Sequence, residues 1–286
     1  MLTINQCDIV TWVKAAPDPL QRELREAVHI ALWAIGQSPT LQPKMIMKGA
    51  ILLAIRYQSS RYTRDIDFST NTLFKNFDEG KFFEELKNKL GLAVEALDYN
   101  LDCRIQSYQV KPKKENATFQ TLTLTIGYAY KGTSKHSRLI AHNSSTTLKI
   151  DYSFNEVTDQ IDLLDLGQGT IINAYSFTDL VAEKLRAILQ QEARNRVRRQ
   201  DAYDLYCLFK FHPIDDPDEK EGILRSLIKK SNSRKLEVDR NSMSKTEIIN
   251  RSKREYPRLQ DEISEELPPF EDVYGTVQSF YESLPW

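Results

Sequence analysis

Hydrophobic positions in the N-terminal third of the chain follow a helical period. From Leu20 to Leu32 a leucine or valine recurs at every fourth residue, which predicts a helix. The segment PKMIMKGAILLAIRYQ predicts a short apolar strand, a turn at Gly49 and an apolar helix to about Tyr57. Another helix is predicted across EGKFFEELKNKLG.

The middle of the chain shows the alternation of half-buried strands. Strands are predicted in CRIQSYQVK, FQTLTLTIGYAY and TTLKIDYSF, and the last two alternate most clearly. From Ser176 onward the pattern is mostly helical, with FHPIDDPDEK (residues 211–220) as a connector. We therefore expect an α/β (α+β) domain over residues 1–175 and a helical C-terminal domain over residues 176–286.

The composition is that of a globular protein with a packed core. The chain has 286 residues, of which 41% are hydrophobic and 28% charged. Its three cysteines, Cys7, Cys103 and Cys207, are odd in number, and no Cys/His pair has zinc-ligand spacing, so neither a disulfide framework nor structural zinc is expected. No secretory h-region or membrane-length apolar run is found, so we expect a cytoplasmic protein without a membrane partner.

Two aspartates lie one residue apart in the predicted strand RYTRDIDFS. Asp65 and Asp67 share one strand face, while Ile66 and Phe68 point to the other. Neighbouring carboxylates repel each other unless they share a cation, and Mg²⁺ prefers oxygen ligands of this kind. A solvated edge face is the alternative interpretation of the same pattern.

A glycine turn and a third carboxylate favour a nucleotide site. Gly49 and Ala50 lie between a strand and a helix, where backbone N–H groups can bind a phosphate. Asp151 lies near the middle of the third β-rich segment, on the face opposite Tyr152. If that strand neighbours the first, Asp151 completes a metal site; an outward-facing aspartate is the alternative.

A lysine stands within the apolar face of the helix that follows Ser176. Leu180, Val181 and Ile188 surround Lys184 at helical spacing, so its ammonium must reach solvent or have a partner. Asp201 and Asp204 lie three residues apart further along. They could pair with Lys184 or with nearby arginines, which is a structural alternative to a catalytic role.

These motifs resemble a known family of enzymes. KGA followed by RYTRDIDFS is similar to the opening motif of the nucleotidyltransferase superfamily, and closest to the AbiEii/AbiGii toxins of toxin–antitoxin and abortive-infection loci. KIDYSFNE resembles that family's third-carboxylate strand, and AEKLRA with RRQDAYDL resembles its second motif. The family usually has Gly or Ser where this chain has Ala50, which offers a phosphate only its N–H.

The resemblance implies a fold, a reaction and a set of functional residues. It implies a nucleotidyltransferase-like mixed sheet flanked by helices, Mg²⁺ or Mn²⁺ at Asp65, Asp67 and Asp151, and transfer of a nucleotide from an NTP to an RNA acceptor such as a tRNA. A cognate antitoxin would neutralise the protein. The catalytic set would also include Lys184, with Asp201 or Asp204 essential. The nucleotide-binding set would comprise Lys48, Gly49, Ala50, Arg61, Thr63 and Lys184.

The acceptor is the least determined part of this hypothesis. Arg194, Arg196, Arg198 and Arg199 are typical of a solvated helix surface, but beside a nucleotide site they could guide an RNA backbone. The same fold could instead transfer a nucleotide to a small-molecule or protein hydroxyl. A catalytically degenerate nucleotide-binding module is the third alternative.

Overall fold

The computed structural model describes residues 4–114 and 117–286, and its internal contacts divide the chain into two compact units. The first unit comprises Met1–Arg56, Thr63–Glu156 and Ile161–Ala174. The second unit comprises Tyr57–Tyr62, Val157–Gln160 and Tyr175–Trp286. The domain boundary predicted at residues 175 and 176 lies at the start of the last of these stretches, but the second unit also takes up two short earlier ones.

A mixed β-sheet forms the centre of the first unit. In the described part of the chain its eight strands are β1 (Ile4–Gln6), β2 (Ile46–Lys48), β3 (Asp65–Ser69), β4 (Leu101–Lys111), β5 (Thr121–Tyr130), β6 (Thr147–Ser153), β7 (Ile161–Asp165) and β8 (Ile171–Tyr175). Their order across the sheet is β1-β7-β8-β2-β3-β6-β5-β4. Strands β3 and β6 are parallel neighbours, whereas β2/β3 and β5/β6 are antiparallel. The predicted mixed sheet is therefore confirmed.

The central strands alternate between a buried and a partly exposed face. In β6 the side chains of Leu148, Ile150 and Tyr152 are buried, while Lys149 is exposed and Asp151 is half-buried. Removing such apolar side chains from water supplies most of the energy that holds the sheet against its helices. The polar residues of these strands consequently collect on the opposite face.

Helices flank the sheet of the first unit. They are α1 (Ile9–Lys14), α2 (Pro19–Gly36), α3 (Gly49–Arg56), α4 (Glu79–Ala96) and α5 (Ser134–Ile140). Asp18 and Asp78 cap α2 and α4 by accepting backbone N–H bonds. The predicted apolar stripe of α2 is wrong at Leu20, which is 69% exposed, because a side chain in the first turn points past the start of the helix.

The second unit is helical, as predicted. Its helices are α6 (Phe177–Leu189), α7 (Gln191–Arg194), α8 (Arg199–Phe211), α9 (Pro217–Ser233), α10 (Thr246–Lys253) and α11 (Phe270–Glu282). The predicted connector over residues 211–220 is too long, because α9 already begins at Pro217 with Asp216 as its N-cap. Proline in the first turn after an aspartate is a helix start rather than a continued loop. No helix among the described residues is long and apolar enough to cross a membrane.

Candidate active site

The turn between β2 and α3 lies against the side chain of Asp67, one of the predicted carboxylates. Gly49 has a φ of +77°, which residues with a side chain rarely adopt. A Cβ atom built on Gly49 would lie 2.0 Å from Oδ2 of Asp67. Glycine is thus required here both for the backbone conformation and for the close approach of the Asp67 carboxylate.

The three predicted carboxylates lie on one face of two neighbouring strands. Asp65 and Asp67 are half-buried on β3, and Ile66 and Phe68 are fully buried behind them. In the register of the parallel β3/β6 pair, Asp67 is the direct partner of Asp151. Direct partners project to the same side of a sheet, so residues far apart in the sequence meet at this face.

A threonine of β5 holds the third carboxylate. Thr123 is the register partner of Asp151 on the antiparallel β5/β6 pair, and its hydroxyl donates a 2.6 Å hydrogen bond to Oδ1 of Asp151. Thr123 was not among the residues predicted from the sequence. The signal was present in the alternation of Thr121, Thr123 and Thr125, which places three hydroxyl groups on the face of the carboxylates.

Two lysines share the same face. Lys149 is exposed and is the register partner of Asp65 on β6. Lys48 is the register partner of Asp67 on β2, and its Nζ atom lies 4.0 Å from Oε1 of Glu156. Lys48 was predicted as a nucleotide-binding residue, whereas Lys149 was not singled out. Each aspartate of β3 therefore has a cation opposite it on an adjacent strand.

These neighbours set the ionisation of Asp65. Burial raises the pKa of Asp65, Lys149 lowers it, and the Asp151 carboxylate raises it again; the net pKa lies above the ordinary aspartate value. A cation bound next to Asp65 and Asp151 would offset the repulsion between the two carboxylates. It would therefore favour the ionised form of Asp65 and lower its pKa.

The donor set fits a hard divalent cation that is completed by a substrate. In residues 4–114 and 117–286, no three or more His, Cys, Asp or Glu side chains are arranged to hold a metal ion by themselves. Mg²⁺ is commonly held by one or two carboxylates together with water and substrate phosphates. The Asp67/Asp151 pair, with Asp65 on the same face, suits that mode and not a closed all-protein cage.

Thr63 shapes the entrance to β3. Its hydroxyl accepts a 3.3 Å hydrogen bond from the backbone N–H of Asp65. This is a local turn contact of the kind that Ser and Thr commonly form. The predicted nucleotide-binding role of Thr63 therefore coexists with a structural one.

A second charged cluster lies wholly within the second unit. Lys184 of α6 is buried, and its Nζ donates to Oδ1 of Asp201 at 3.0 Å and to Oδ2 of Asp204 at 2.7 Å. Burial lowers the pKa of Lys184, but Asp204 and Asp201 outweigh this effect and raise the pKa. Lys184 therefore pairs with Asp201 and Asp204, which was one of the alternatives that the sequence left open.

Arg61 belongs to this second cluster. Its guanidinium donates from Nε to Oδ1 of Asp204 at 2.8 Å and from Nη2 to Oδ2 at 3.0 Å. Nη1 lies 3.3 Å from Oε2 of Glu262. Burial raises the pKa of Asp204, yet Arg61 and Lys184 prevail and lower it to about 2. Arg61 was predicted to bind nucleotide; its donors here bind carboxylates.

The two aspartates of α8 differ in how they are satisfied. Asp204 is held by two cations, whereas Oδ2 of Asp201 is buried without a hydrogen-bond partner in the described structure. Nη1 of Arg198 lies 3.7 Å from that oxygen, too far for a hydrogen bond. A buried carboxylate oxygen without a partner is costly, so Asp201 is the less stabilised of the pair.

The arginine run is not one helix surface, contrary to the simplest prediction. Asn195 adopts a left-handed φ of +47° and ends α7, and α8 begins at Arg199. Arg194 and Arg196 are exposed. Arg199 binds Glu262 at 2.9 Å and Glu255 at 3.3 Å. The run is therefore divided between α7, the loop after it and the start of α8, and its members differ in exposure.

The chain matches a known family over most of its length. The family model described as "Nucleotidyl transferase AbiEii toxin, Type IV TA system" matches residues 31–276. No curated protein sequence matches the chain.

A solved structure shows the same fold at low sequence identity. The nucleotidyltransferase toxin MenT4 from Mycobacterium tuberculosis H37Rv is similar with a TM-score of 0.57 and 12% identity, over 96% of this chain and 90% of that chain. JHP933 from Helicobacter pylori has a TM-score of 0.47 and 14% identity, over 94% of this chain and 93% of that chain. The first likeness shows the fold alone, and the second is too low to support an argument.

Proposed function

Because the chain belongs to the AbiEii family of nucleotidyltransferase toxins from type IV toxin–antitoxin systems, we propose that it transfers a nucleotide from an NTP to an RNA acceptor. Family membership implies an antitoxin partner. We propose that this partner is a cognate protein that neutralises the transferase. The fold, which resembles that of a nucleotidyltransferase toxin, agrees with this reaction class.

One observation carries the proposal: Asp67 lies over the Gly49 turn and beside Asp151. The first turn of α3 offers backbone N–H groups to a phosphate, and the Asp67 carboxylate lies against the same turn. Phosphates bound at the turn would therefore lie next to the carboxylates of β3 and β6. This juxtaposition is what nucleotidyl transfer requires.

Mg²⁺ or Mn²⁺ would be held by the carboxylates of Asp65, Asp67 and Asp151. When bound, such an ion neutralises charge on the phosphates and aligns the attacking and leaving oxygens. Thr123 fixes Oδ1 of Asp151, which limits the orientations of that carboxylate. Asp151 would accept the proton of the acceptor hydroxyl, because it faces the same side as Asp67 on the next strand.

Cations of the first unit would bind the triphosphate. Lys149 is exposed on the carboxylate face, and Lys48 lies opposite Asp67. A role for Lys184 in phosphate binding stays a prediction. Its ammonium is occupied by Asp201 and Asp204, so such a role requires a phosphate to replace a carboxylate.

An RNA acceptor accounts for the exposed arginines of the second unit. Arg194 and Arg196 are accessible, and arginine binds phosphates without regard to sequence. Such contacts make binding strongly dependent on salt. A small-molecule acceptor would require neither the arginines nor that salt dependence.

The test is transfer of label from each of the four NTPs to total RNA, with and without Mg²⁺. We expect labelled RNA with the unmodified protein and a loss of at least about 100-fold with Asp67→Asn, the scale for removing a group that stabilises the transition state. Asp98→Asn, an exposed loop residue of the same unit, is the matched control and should retain full transfer. Equal labelling by Asp67→Asn would disprove the assignment, and label on protein or small molecules would point to another acceptor.

A further inference from the structure

A cavity lies on the side of the sheet opposite the carboxylates. It has a volume of about 490 Å³ and is enclosed by the loop before β2, the loop after β3, helix α4 and the end of β6. Tyr152 lines it, and Tyr152 alternates with Asp151 on β6, so the two side chains face opposite ways. This volume is within the range of about 300–1,000 Å³ that is typical of small-molecule sites.

The inner wall of the cavity is aromatic. Phe77 packs against Phe82 and Phe154 with ring centroids 5.1 Å and 4.8 Å apart. Tyr152 lies 4.6 Å from Phe154 and nearly parallel to Phe82, at 5.9 Å. Phe82, Tyr152 and Phe154 are at most 5% exposed and form the floor of the cavity, whereas Phe77 is half-buried and leaves part of its ring for a further ring to pack against.

The rim of the cavity carries charged groups of both signs. Lys81 is paired with Asp78 at 3.0 Å. Glu85 is held in place because its Oε1 accepts a 2.6 Å hydrogen bond from the Ser38 hydroxyl. Lys44 also lines the cavity, and its ammonium forms no ion pair within the described residues. A fixed carboxylate and an available ammonium therefore border one aromatic pocket.

We propose that this cavity binds a small zwitterionic aromatic molecule of the aromatic amino acid class. Its ring would pack against Phe77 above the floor formed by Phe82, Tyr152 and Phe154. Its ammonium would face Glu85, and its carboxylate would face Lys44. The size, the aromatic wall and the paired opposite charges all match that chemistry. The binding site shares no residue with the proposed active site and does not depend on the transferase reaction.

Titration with L-tryptophan, followed by ligand-observed NMR and calorimetry, tests the proposal. We expect saturable binding that Asp67→Asn leaves unchanged. Tryptamine lacks the carboxylate and indole-3-propionate lacks the ammonium, so each should bind about twofold to fivefold more weakly, as expected for the loss of one partly exposed charge contact.

Substitutions at the rim of the cavity test whether L-tryptophan binds there. Glu85→Gln should weaken L-tryptophan about fivefold, whereas Glu79→Gln, on the same helix but outside the cavity, should have no effect. Thr40→Trp places an indole at the rim and should abolish binding. Circular dichroism of each variant checks the fold. Failure of all three ligands to bind, or binding that Thr40→Trp leaves intact, would overturn the proposal.

Discussion

At the scale of single residues, Gly49 shows how a backbone position decides the chemistry. It combines a positive φ with a site where any side chain would meet Asp67. The sequence analysis identified Gly49 from its place between a strand and a helix. It could not identify the contact with Asp67, because that contact depends on the antiparallel pairing of β2 with β3.

Gly49→Ala should abolish transfer while leaving a folded protein. The strained φ costs about 1–2 kcal/mol, and the new methyl group must displace the Asp67 carboxylate. Gly132→Ala is the matched control, since Gly132 has a φ of +81° but open space around its Cβ position. Thermal unfolding and NTP transfer should fall together in Gly49→Ala, whereas Gly132→Ala should lose stability only. Full transfer by Gly49→Ala would contradict the assigned role.

At the scale of elements, helices α6 and α8 each carry charged residues on an apolar face, and these residues pair with those of the other helix. Lys184 interrupts the apolar face of α6, and Asp201 and Asp204 interrupt that of α8; the three groups pair with one another. The sequence indicated Lys184 and the two aspartates as candidate functional residues. It could not decide between pairing and catalysis, because the choice depends on how the two helices pack.

Asp204→Asn should destabilise the protein most at neutral pH. Loss of the Asp204 charge leaves Lys184 and Arg61 buried with one anion fewer, which should lower the free energy of unfolding by about 3–5 kcal/mol. The folded pKa is about 2, below the unfolded value of about 3.9. The stabilisation is therefore complete above about pH 5 and is lost as the pH falls towards 2.

Urea unfolding at several pH values measures this effect. The difference between the unmodified protein and Asp204→Asn should shrink from pH 5 to pH 2. Asp215→Asn, an exposed residue of the same unit, should stay within about 0.5 kcal/mol throughout. A difference that stays constant across this range would show that Arg61 and Lys184 do not lower the pKa of Asp204.

The elements that the sequence missed are short or depend on distant pairing. Strand β8 is only five residues long and pairs in parallel with β2, which lies far away in the chain. Strand β7 has five residues and helix α5 has seven, and a short apolar run does not distinguish a strand from a buried helix segment. The long periodic elements α2, α4, β5 and β6 were predicted correctly because they show several repeats of their pattern.

At the scale of the whole molecule, tertiary ion pairs determine which segments belong to the second unit. Arg61 anchors residues 57–62 to Asp204. In residues 157–160, the carbonyl of Val157 accepts a 2.7 Å hydrogen bond from Lys230, whose ammonium also binds Asp179 at 2.9 Å. No local pattern in these short segments indicates such anchoring, so a division at residue 175 was the simplest prediction.

A fragment of residues 176–286 should therefore fail to fold cooperatively. Asp204 would keep Lys184 but lose Arg61, and Lys230 would keep Asp179 but lose the Val157 carbonyl; removing one partner from each of two buried charged networks is strongly destabilising. The measurement is thermal unfolding by circular dichroism, with the full chain as reference. A sharp transition in the fragment alone would show that the two short segments are dispensable.

The contact between Gly49 and Asp67 also has a genetic consequence. Glycine codons differ only in their third base, so every missense change at codon 49 introduces a residue with a Cβ atom, directly against the Asp67 carboxylate. Even the most conservative replacement meets the same obstruction. Cells under selection to silence this gene thus have, at the first two bases of one codon, a set of single-base changes of which none is neutral.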